Sequence, residues 1–160
     1  MRIIGIDPGT INVGYGIIDT VGNSITSISH GTIFLDKKQA IEFRLAQIHS
    51  EITSLLDRYL PDEGAIEKAF VSKNVHSALR LGEGRGVAMA AMGLFGIPVV
   101  EYAPLVIKKA VVGRGHSSKD QVRAMVKIIL KCPDNFASDD TADALGVAIC
   151  HTHRRLVRSL

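Results

Sequence analysis

Short apolar runs separated by turn residues mark the first part of this chain as strand-rich. Strands are predicted at residues 2–7, from Val13 to Ile18 and from roughly Ser24 to Phe34. Pro8-Gly9-Thr10, between the first two, is a turn signal. The three strands are predicted to form an antiparallel meander.

Helical and strand periods alternate in the rest of the chain. Ala40 to Tyr59 has apolar residues at the spacing of an amphipathic helix, and a second helix, rich in Ala and Gly, is predicted from about His76 to Phe95. Short buried strands are predicted at 64–68 and from Ile97 to Tyr102. Further helices are expected from about Pro104, from about Ser117, and from Ser138 or Asp139 to the C-terminus.

This order predicts an α/β fold. Five strands would form a mixed sheet, an antiparallel meander plus parallel strands, with helices on both faces. The length fits one domain spanning residues 1–160.

Composition adds an expectation about where the chain works. Hydrophobic residues make up 46% of it, which is enough for a core. The apolar start of the chain ends at Asp7, so no cleavable signal is expected. The apolar uncharged run from Gly86 to Val100 is shorter than the roughly 20 residues of a membrane span. We therefore expect a soluble, cytoplasmic protein with no membrane partner.

Positive charge is concentrated between Pro104 and Lys131. Seven basic residues and one acid give this stretch a net charge of +6, against +3 for the whole chain. Several of its basic residues recur every four positions and so share a helix face. Such a face is often merely solvated, but the lack of acidic partners favours a surface for a polyanion. The candidate contacts are Lys108, Arg114, Lys119, Arg123 and Lys127.

Four acidic residues carry the candidate chemistry. Asp7 and Glu67 each end an apolar strand, where a carboxylate is costly unless it is paired or holds a metal. Asp140 and Asp143 are three residues apart and share a helix face. The four could hold two hard metal ions such as magnesium about 4 Å apart, an arrangement suited to phosphoryl transfer.

Each acid also has a structural interpretation. Asp140, like Asp139 beside it, suits a helix N-terminus. Glu67 could pair with a buried arginine, and Asp7 could simply start the following turn. Asp143 lies among Ala, Leu and Val, where a capping role fits poorly. Together with the basic helix face, the four acids favour a metal-dependent nuclease.

Three other features leave alternatives open. The glycines of Gly82-Glu83-Gly84-Arg85-Gly86 interrupt a helical pattern, which favours close helix packing over a phosphate loop. The packing partner is either within the chain or in a second subunit. Cys150-His151-Thr152-His153 does not favour a zinc site, because residues two apart on a helix do not face each other. Phe70 is either a core residue or an aromatic wedge beside the site.

Taken in order, the motifs resemble the RuvC family of bacterial Holliday-junction resolvases, the crossover junction endodeoxyribonucleases. The resemblance covers nearly the whole chain. The landmarks are Gly5-Ile6-Asp7-Pro8-Gly9, Gly14-Tyr15-Gly16, Ala65-Ile66-Glu67, Ser77-Ala78-Leu79, Gly84-Arg85-Gly86-Val87-Ala88, Glu101-Tyr102-Ala103, Lys108, Val111-Val112-Gly113, Lys119 and Ala142-Asp143-Ala144-Leu145.

The resemblance implies an RNase H-like nuclease domain that works as a homodimer in DNA recombination and repair. Such an enzyme makes paired, symmetric nicks in four-way DNA junctions, leaves 5′-phosphate and 3′-hydroxyl ends, and works beside the RuvA–RuvB branch-migration complex. It implies two Mg²⁺ ions per active site, with Mn²⁺ as an alternative ion. Their ligands, which are the catalytic residues, would be Asp7, Glu67, Asp140 and Asp143.

The same resemblance assigns three DNA contacts and leaves other functions to weigh. Lys108 and Lys119 would lie near the DNA, and Phe70 would stack on a base near the junction centre. We prefer Asp140 over Asp139 as the ligand because its spacing to Asp143 fits the family. The alternatives are an actin-like ATPase, which needs two such domains, an RNase H-like nuclease acting on RNA, and a junction-binding module without catalysis.

Overall fold

The computed structural model describes residues 1–68, 75–132, 136 and 138–158. Within these ranges the elements follow the predicted order. The strands are β1 (Arg2–Asp7), β2 (Asn12–Val21), β3 (Ser24–Phe34), β4 (Glu63–Glu67) and β5 (Val99–Tyr102). The helices are α1 (Ile41–Tyr59), α2 (Val75–Leu94), α3 (Pro104–Val112), α4 (Lys119–Leu130) and α5 (Asp139–Arg158).

The described strands form one mixed sheet in the order β3-β2-β1-β4-β5. The first three are antiparallel neighbours, while β4 runs parallel to both β1 and β5. The predicted meander plus parallel strands is thereby confirmed. Because β1, β4 and β5 are parallel, their C-terminal ends lie at one edge of the sheet, where ligand sites of such sheets commonly form.

Two strand boundaries differ from the predicted ones by more than one residue. Strand β2 continues past Ile18 to Val21, because its second half pairs with β3 as far as Val21 and Ser24. The apolar run that signalled this strand covers only its buried half. Strand β5 starts at Val99 rather than Ile97, because Gly96 adopts a positive φ of 71° and Ile97 donates its N–H to Met92, closing α2.

Helices cover both faces of the sheet, as predicted. On one face α1 and α2 pack over a core that includes Ile4, Ile6 and Ile66. On the other face α3, α4 and α5 pack over a core that includes Ile3 and Ala65. The alternation of neighbouring residues between the two cores follows from the two-residue period of a strand. None of the helices in the described ranges is long and apolar enough to cross a membrane.

Helix α5 lies directly on β1 and β2, because glycines stand where the helix crosses these strands. A Cβ at Gly14 would collide with the carbonyl oxygen of Asp140, and a Cβ at Gly5 would collide with that of Ala144. Gly14 pairs with Asp7 in the sheet. The first turn of α5 therefore lies beside the end of β1.

The glycine-rich segment of α2 is a packing feature at one of its three glycines. A Cβ at Gly84 would collide with the carbonyl of Gly9 in the turn after β1. At Gly82 and Gly86 a Cβ would meet no atom of the described residues within 4 Å. Close packing is thus confirmed for Gly84, while the other two glycines lie on an open face.

Candidate active site

Three of the four predicted acids open onto one cavity of about 280 Å³. Asp7 and Glu67 end the parallel neighbours β1 and β4, whose preceding residues Ile6 and Ile66 are paired in the sheet. Asp143 reaches the same cavity from the second turn of α5. The rest of the wall comes from α3 and α4, through Pro104, Ile107, Lys108, Lys119 and Val122.

Asp140 stands next to this cavity without lining it. Burial, followed by the charge of Glu67, raises the pKa of Asp7 to about 8. The charges of Asp143 and then Asp140 act in the same direction. The structure therefore brings the other three acids within electrostatic reach of Asp7.

Two lysines oppose this negative charge. Lys119 Nζ lies 3.3 Å from Asp143 Oδ2, and the charge of Asp143 raises the pKa of Lys119. Burial raises the pKa of Glu67 to about 7, with Asp143 adding to the rise and Lys119 and Lys108 reducing it. A nearby cation stabilises the charged form of partly buried carboxylates that lie close together. Lys119 and Lys108 act in this way on Glu67.

The carboxylates fit a hard divalent metal by chemistry but do not yet enclose one. No three of the His, Cys, Asp and Glu side chains in the described ranges are grouped closely enough to hold a metal ion as they stand. All four donors are carboxylates, which are the ligands that magnesium and manganese prefer. Lys119 already occupies one oxygen of Asp143. The donor set therefore fits a hard divalent metal. Lys119 competes with such an ion for the Asp143 carboxylate.

Asp139 and Asp140 are separated by their surroundings. Asp139 is well exposed and forms an ion pair of 3.1 Å with Arg123. The same guanidinium donates to the Phe136 carbonyl oxygen at 3.4 Å, and the Lys127 ammonium lies 5.7 Å from the centre of the Phe136 ring. Arg123 and Lys127 thus contact the start of α5 and Phe136 before it. Their predicted DNA contacts remain predictions.

A cluster of hydroxyl groups fixes the start of α5 to the sheet, and sequence reasoning missed it. Thr32 on β3 bonds to Ser138 at 2.5 Å and to the buried Thr141 at 2.8 Å. The Ser138 hydroxyl also accepts from the Thr141 N–H at 3.3 Å, as a helix cap does. Ser138 is a cap signal in the sequence, whereas nothing local marks Thr32.

Three further predictions concern Arg114, Phe70 and an arginine partner for Glu67. Arg114 is exposed in the segment between α3 and α4, away from the acids' cavity wall. Phe70 lies outside the described residues. A buried arginine partner for Glu67 is not found among the ion pairs of the described residues.

The Cys150–His153 motif has structural partners. His151 is buried and bonds to Glu63 at 2.6 Å and to the Tyr102 hydroxyl at 2.9 Å. Burial raises the pKa of the Cys150 thiol to about 11. His153 bonds to the carbonyl oxygen of Ala110 at 3.0 Å. These contacts tie α5 to β4, β5 and α3.

Comparison with known proteins decides the family. Residues 3–151 match the family model described as crossover junction endodeoxyribonuclease RuvC. The chain belongs to the RuvC family. A RuvC of Rhizobium etli is 46% identical over 155 residues, which cover 97% of this chain and 91% of the relative. The resemblance expected from the motifs, and the enzyme class of endodeoxyribonuclease, are confirmed.

Solved structures agree with the family and the fold. A T. thermophilus RuvC in complex with a Holliday junction substrate superposes with a TM-score of 0.93 at 27% identity, covering 99% of this chain and 97% of that one. The yeast mitochondrial Holliday junction resolvase superposes with a TM-score of 0.64 at 14% identity, covering 99% and 86%. The second likeness concerns the fold alone. The expected RNase H-like sheet is confirmed.

Proposed function

We propose that this chain is a metal-dependent endonuclease, one nuclease domain over residues 1–160, that resolves four-way DNA junctions in recombination and repair. The observation that carries the proposal is the shared cavity of Asp7, Glu67 and Asp143, with Asp140 beside it and two lysines on its wall. Membership of the RuvC family supports the same substrate. Acting on chromosomal DNA in a bacterium would place the protein in the cytoplasm.

The four acids would hold two Mg²⁺ ions, with Mn²⁺ as a possible substitute. When bound, such ions supply an activated water and neutralise charge on the leaving oxygen. The water oxygen forms a new bond to phosphorus while the bond from phosphorus to the 3′ oxygen breaks. The products are a 5′-phosphate and a 3′-hydroxyl.

The chain's own residues would position the phosphodiester and give part of the cavity wall an apolar surface. Lys108 and Lys119 put positive charge on the wall of the cavity, next to the carboxylates. Ile107 and Val122 give the same wall an apolar part, which strengthens electrostatic interactions by lowering the local dielectric. Lys119, which pairs with Asp143 in the metal-free protein, would contact the phosphate once that pair is given up.

Paired nicks need two active sites, and α2 offers a surface for a homodimer. One exposed face of α2 carries residues three or four apart, all small or apolar: Val75, Leu79, Gly82, Gly86, Ala90 and Gly93. Small residues in such a row allow two helices to approach closely. A two-fold symmetric dimer through this face matches the two-fold symmetry of paired cuts. The RuvA–RuvB complex would be its further partner, which rests on the family resemblance.

The experiment that tests the proposal uses a synthetic four-way junction in which each strand is end-labelled in turn. With magnesium, we expect nicks at symmetric positions in two strands of like polarity. Cleavage of an RNA–DNA hybrid in preference to the junction would move the protein to an RNA-directed nuclease. Binding without nicks under both magnesium and manganese, over junctions of varied sequence, would leave only a junction-binding module.

A further inference from the structure

A second concave site lies on the other side of the turn that follows β1. Its volume is about 570 Å³, and the turn residues Gly9 to Asn12 form one wall. The other walls come from the segment before α1, from α1 itself and from the first turns of α2. The cavity lined by Asp7, Glu67 and Asp143, which we call the catalytic cavity, lies on the α3–α5 side of the same sheet edge. The second cavity lies on the α1–α2 side.

The second cavity is cationic. Lys37, Arg44 and Arg80 line it together with His76, and no acidic side chain of the described residues does. Hydroxyl and amide groups of Thr10 and Asn12 add neutral hydrogen-bonding partners. Three basic side chains line this cavity, although the chain outside Pro104–Lys131 has a net charge of −3. That value is the +3 of the whole chain minus the +6 of Pro104–Lys131. Such a site favours an anion with several oxygen atoms.

Arg44 is the fixed member of this group. Its Nη1 donates to the Thr10 carbonyl oxygen at 2.7 Å. Its Nε is buried and has no hydrogen-bond partner among the described residues. The guanidinium is therefore held against the turn with donor capacity to spare. Arg80 pairs with Glu83 at 3.0 Å, but both side chains are more than a third exposed, and such a pair is easily given up.

The position relative to the catalytic acids suggests which anion binds. Asp7 and Thr10 are three residues apart, so their Cα atoms are separated by at most about 11 Å. A DNA strand advances about 3.4 Å per nucleotide along the helix axis. At most about three nucleotides of one strand therefore span the distance from Asp7 to Thr10, which lies on the wall of the second cavity.

We propose that the cavity formed by Lys37, Arg44 and Arg80 binds a backbone phosphate of the same DNA strand whose cleaved phosphodiester, a few nucleotides away, enters the catalytic cavity. The proposal rests on the proposed junction substrate and adds a second anchor to it. Holding the strand on both sides of the turn fixes its register over Asp7, because phosphate contacts position a nucleic acid without reading its sequence.

The test compares two double variants with equal loss of charge. Lys37→Gln with Arg80→Gln removes two cations of the cavity and spares Arg44, which holds the turn. The matched control, Lys38→Gln with Arg58→Gln, removes two exposed cations that do not line it. Binding to a four-way junction is measured against salt concentration, in wild type and in both variants, with folding checked by thermal melting.

The salt slope is expected to fall by about 0.9 in the cavity variant, the change expected when one phosphate charge is no longer neutralised. The control variant should keep the wild-type slope. Equal slopes in the cavity variant and the wild type would overturn the inference. Failure of the wild type itself to bind junctions would instead count against the proposed function, so the two failures are distinguishable.

Single neutral methylphosphonates, moved one nucleotide at a time from the cut site, then locate the contact. In wild type, one position about three nucleotides away should weaken binding, and in the cavity variant that loss should disappear. An equal loss in both proteins would show that the cavity does not hold that phosphate.

A free phosphate compound is the other source of an anion with several oxygen atoms. Calorimetry with inorganic phosphate and with tripolyphosphate tests whether the cavity binds such a compound. Tight binding of either that the cavity variant loses, with an unchanged junction slope, would assign the cavity to a free phosphate compound and overturn the DNA assignment.

Discussion

Asp7 combines three constraints in one side chain. It ends β1, it pairs in the sheet with Gly14, and it lies beside Glu67 on the neighbouring strand. The glycine lets α5 approach closely enough to bring Asp140 and Asp143 to the same place. The negative charge gathered there destabilises the metal-free fold and favours a metal ion, so function and stability are opposed at this residue.

Metal-free protein is expected to lose stability as pH rises. The pKa values of Asp7 and Glu67 are raised to about 8 and about 7, so the folded state binds protons more tightly than the unfolded chain does. The stability that protonation supplies is fully present below about pH 4 and is lost as pH passes through about 7 to 8. The variant Asp7→Asn with Glu67→Gln should therefore be more stable than wild type near pH 9, by on the order of 2 kcal/mol, and little different near pH 4.

Urea unfolding in a chelator at several pH values measures this difference. Adding Mg²⁺ near pH 8 should then raise the melting temperature of the wild type and leave that of the variant unchanged. A difference in stability that does not depend on pH would contradict the electrostatic account of the cavity.

The contact at Gly14 gives a second prediction for a single residue. Gly14→Ala should destabilise the fold by about 2 kcal/mol or more and reduce cleavage, because the added Cβ would force the start of α5 off the sheet. Gly146→Ala, within α5, is the matched control. Its Cβ would meet neighbours at ordinary distances of 3.6 to 3.9 Å, and it should be neutral or stabilising by up to about 1 kcal/mol. Chemical unfolding measures both, and equal stability of the two variants would count against close helix–strand contact.

At the scale of elements, the catalytic cavity is made by two parallel strand ends and three helices. β1 and β4 supply Asp7 and Glu67, α5 supplies the other acids, and α3 and α4 supply the lysines. A capping box at Ser118 starts α4, with Gln121 as its second member. That cap places Lys119 in the first turn of the helix, directed at Asp143.

Lys119 provides a prediction about how α4 meets DNA. Lys119→Ala should weaken junction binding and reduce its salt slope by about 0.9 if the ammonium contacts one phosphate. Lys109→Ala is the control, since Lys109 is an exposed lysine of α3 outside the cavity wall. An unchanged slope for Lys119→Ala would mean that this lysine serves only as a partner for Asp143.

The elements were predictable from sequence because each carries a clear period. Asp7 and Glu67 were predictable as site residues because they end buried strands, and Asp143 because it interrupts an apolar helix face. Local sequence did not reveal that Asp139 turns outward to Arg123, since the two neighbouring acids look alike until α4 packs beside them. The cavity of Lys37, Arg44 and Arg80 was not predictable either, because its walls come from four separated segments.

At the scale of the molecule, the sheet edge divides two cavities of different charge. One gathers carboxylates, for which we propose a metal ion, and the other gathers cations, for which we propose a phosphate. The turn after β1 borders the cationic cavity directly. The helices carry the rest of the proposed assembly. The basic helix α4 lies on one face of the sheet, and the small-residue face of α2 projects from the other.

The dimer is testable by changing one residue on that face. Ala90→Glu should convert the wild-type dimer to a monomer, because two carboxylates would meet at a close helix contact. Ala46→Glu, an exposed alanine of α1, is the matched control and should leave the dimer intact. Sedimentation velocity reports the mass of each. A wild-type monomer, or an Ala90→Glu dimer as stable as the wild type, would contradict the proposed interface.

The central claim is that the carboxylates of the cavity are needed to cut the junction and are not needed to bind it. The most direct measurement compares wild type and Asp7→Asn on the same end-labelled four-way junction with magnesium, recording binding and nicking together. We predict near-normal binding by Asp7→Asn and a fall in the nicking rate of about 100-fold or more. Near-normal nicking by the purified Asp7→Asn variant would contradict the account, because the residue at the centre of the cavity would then be dispensable.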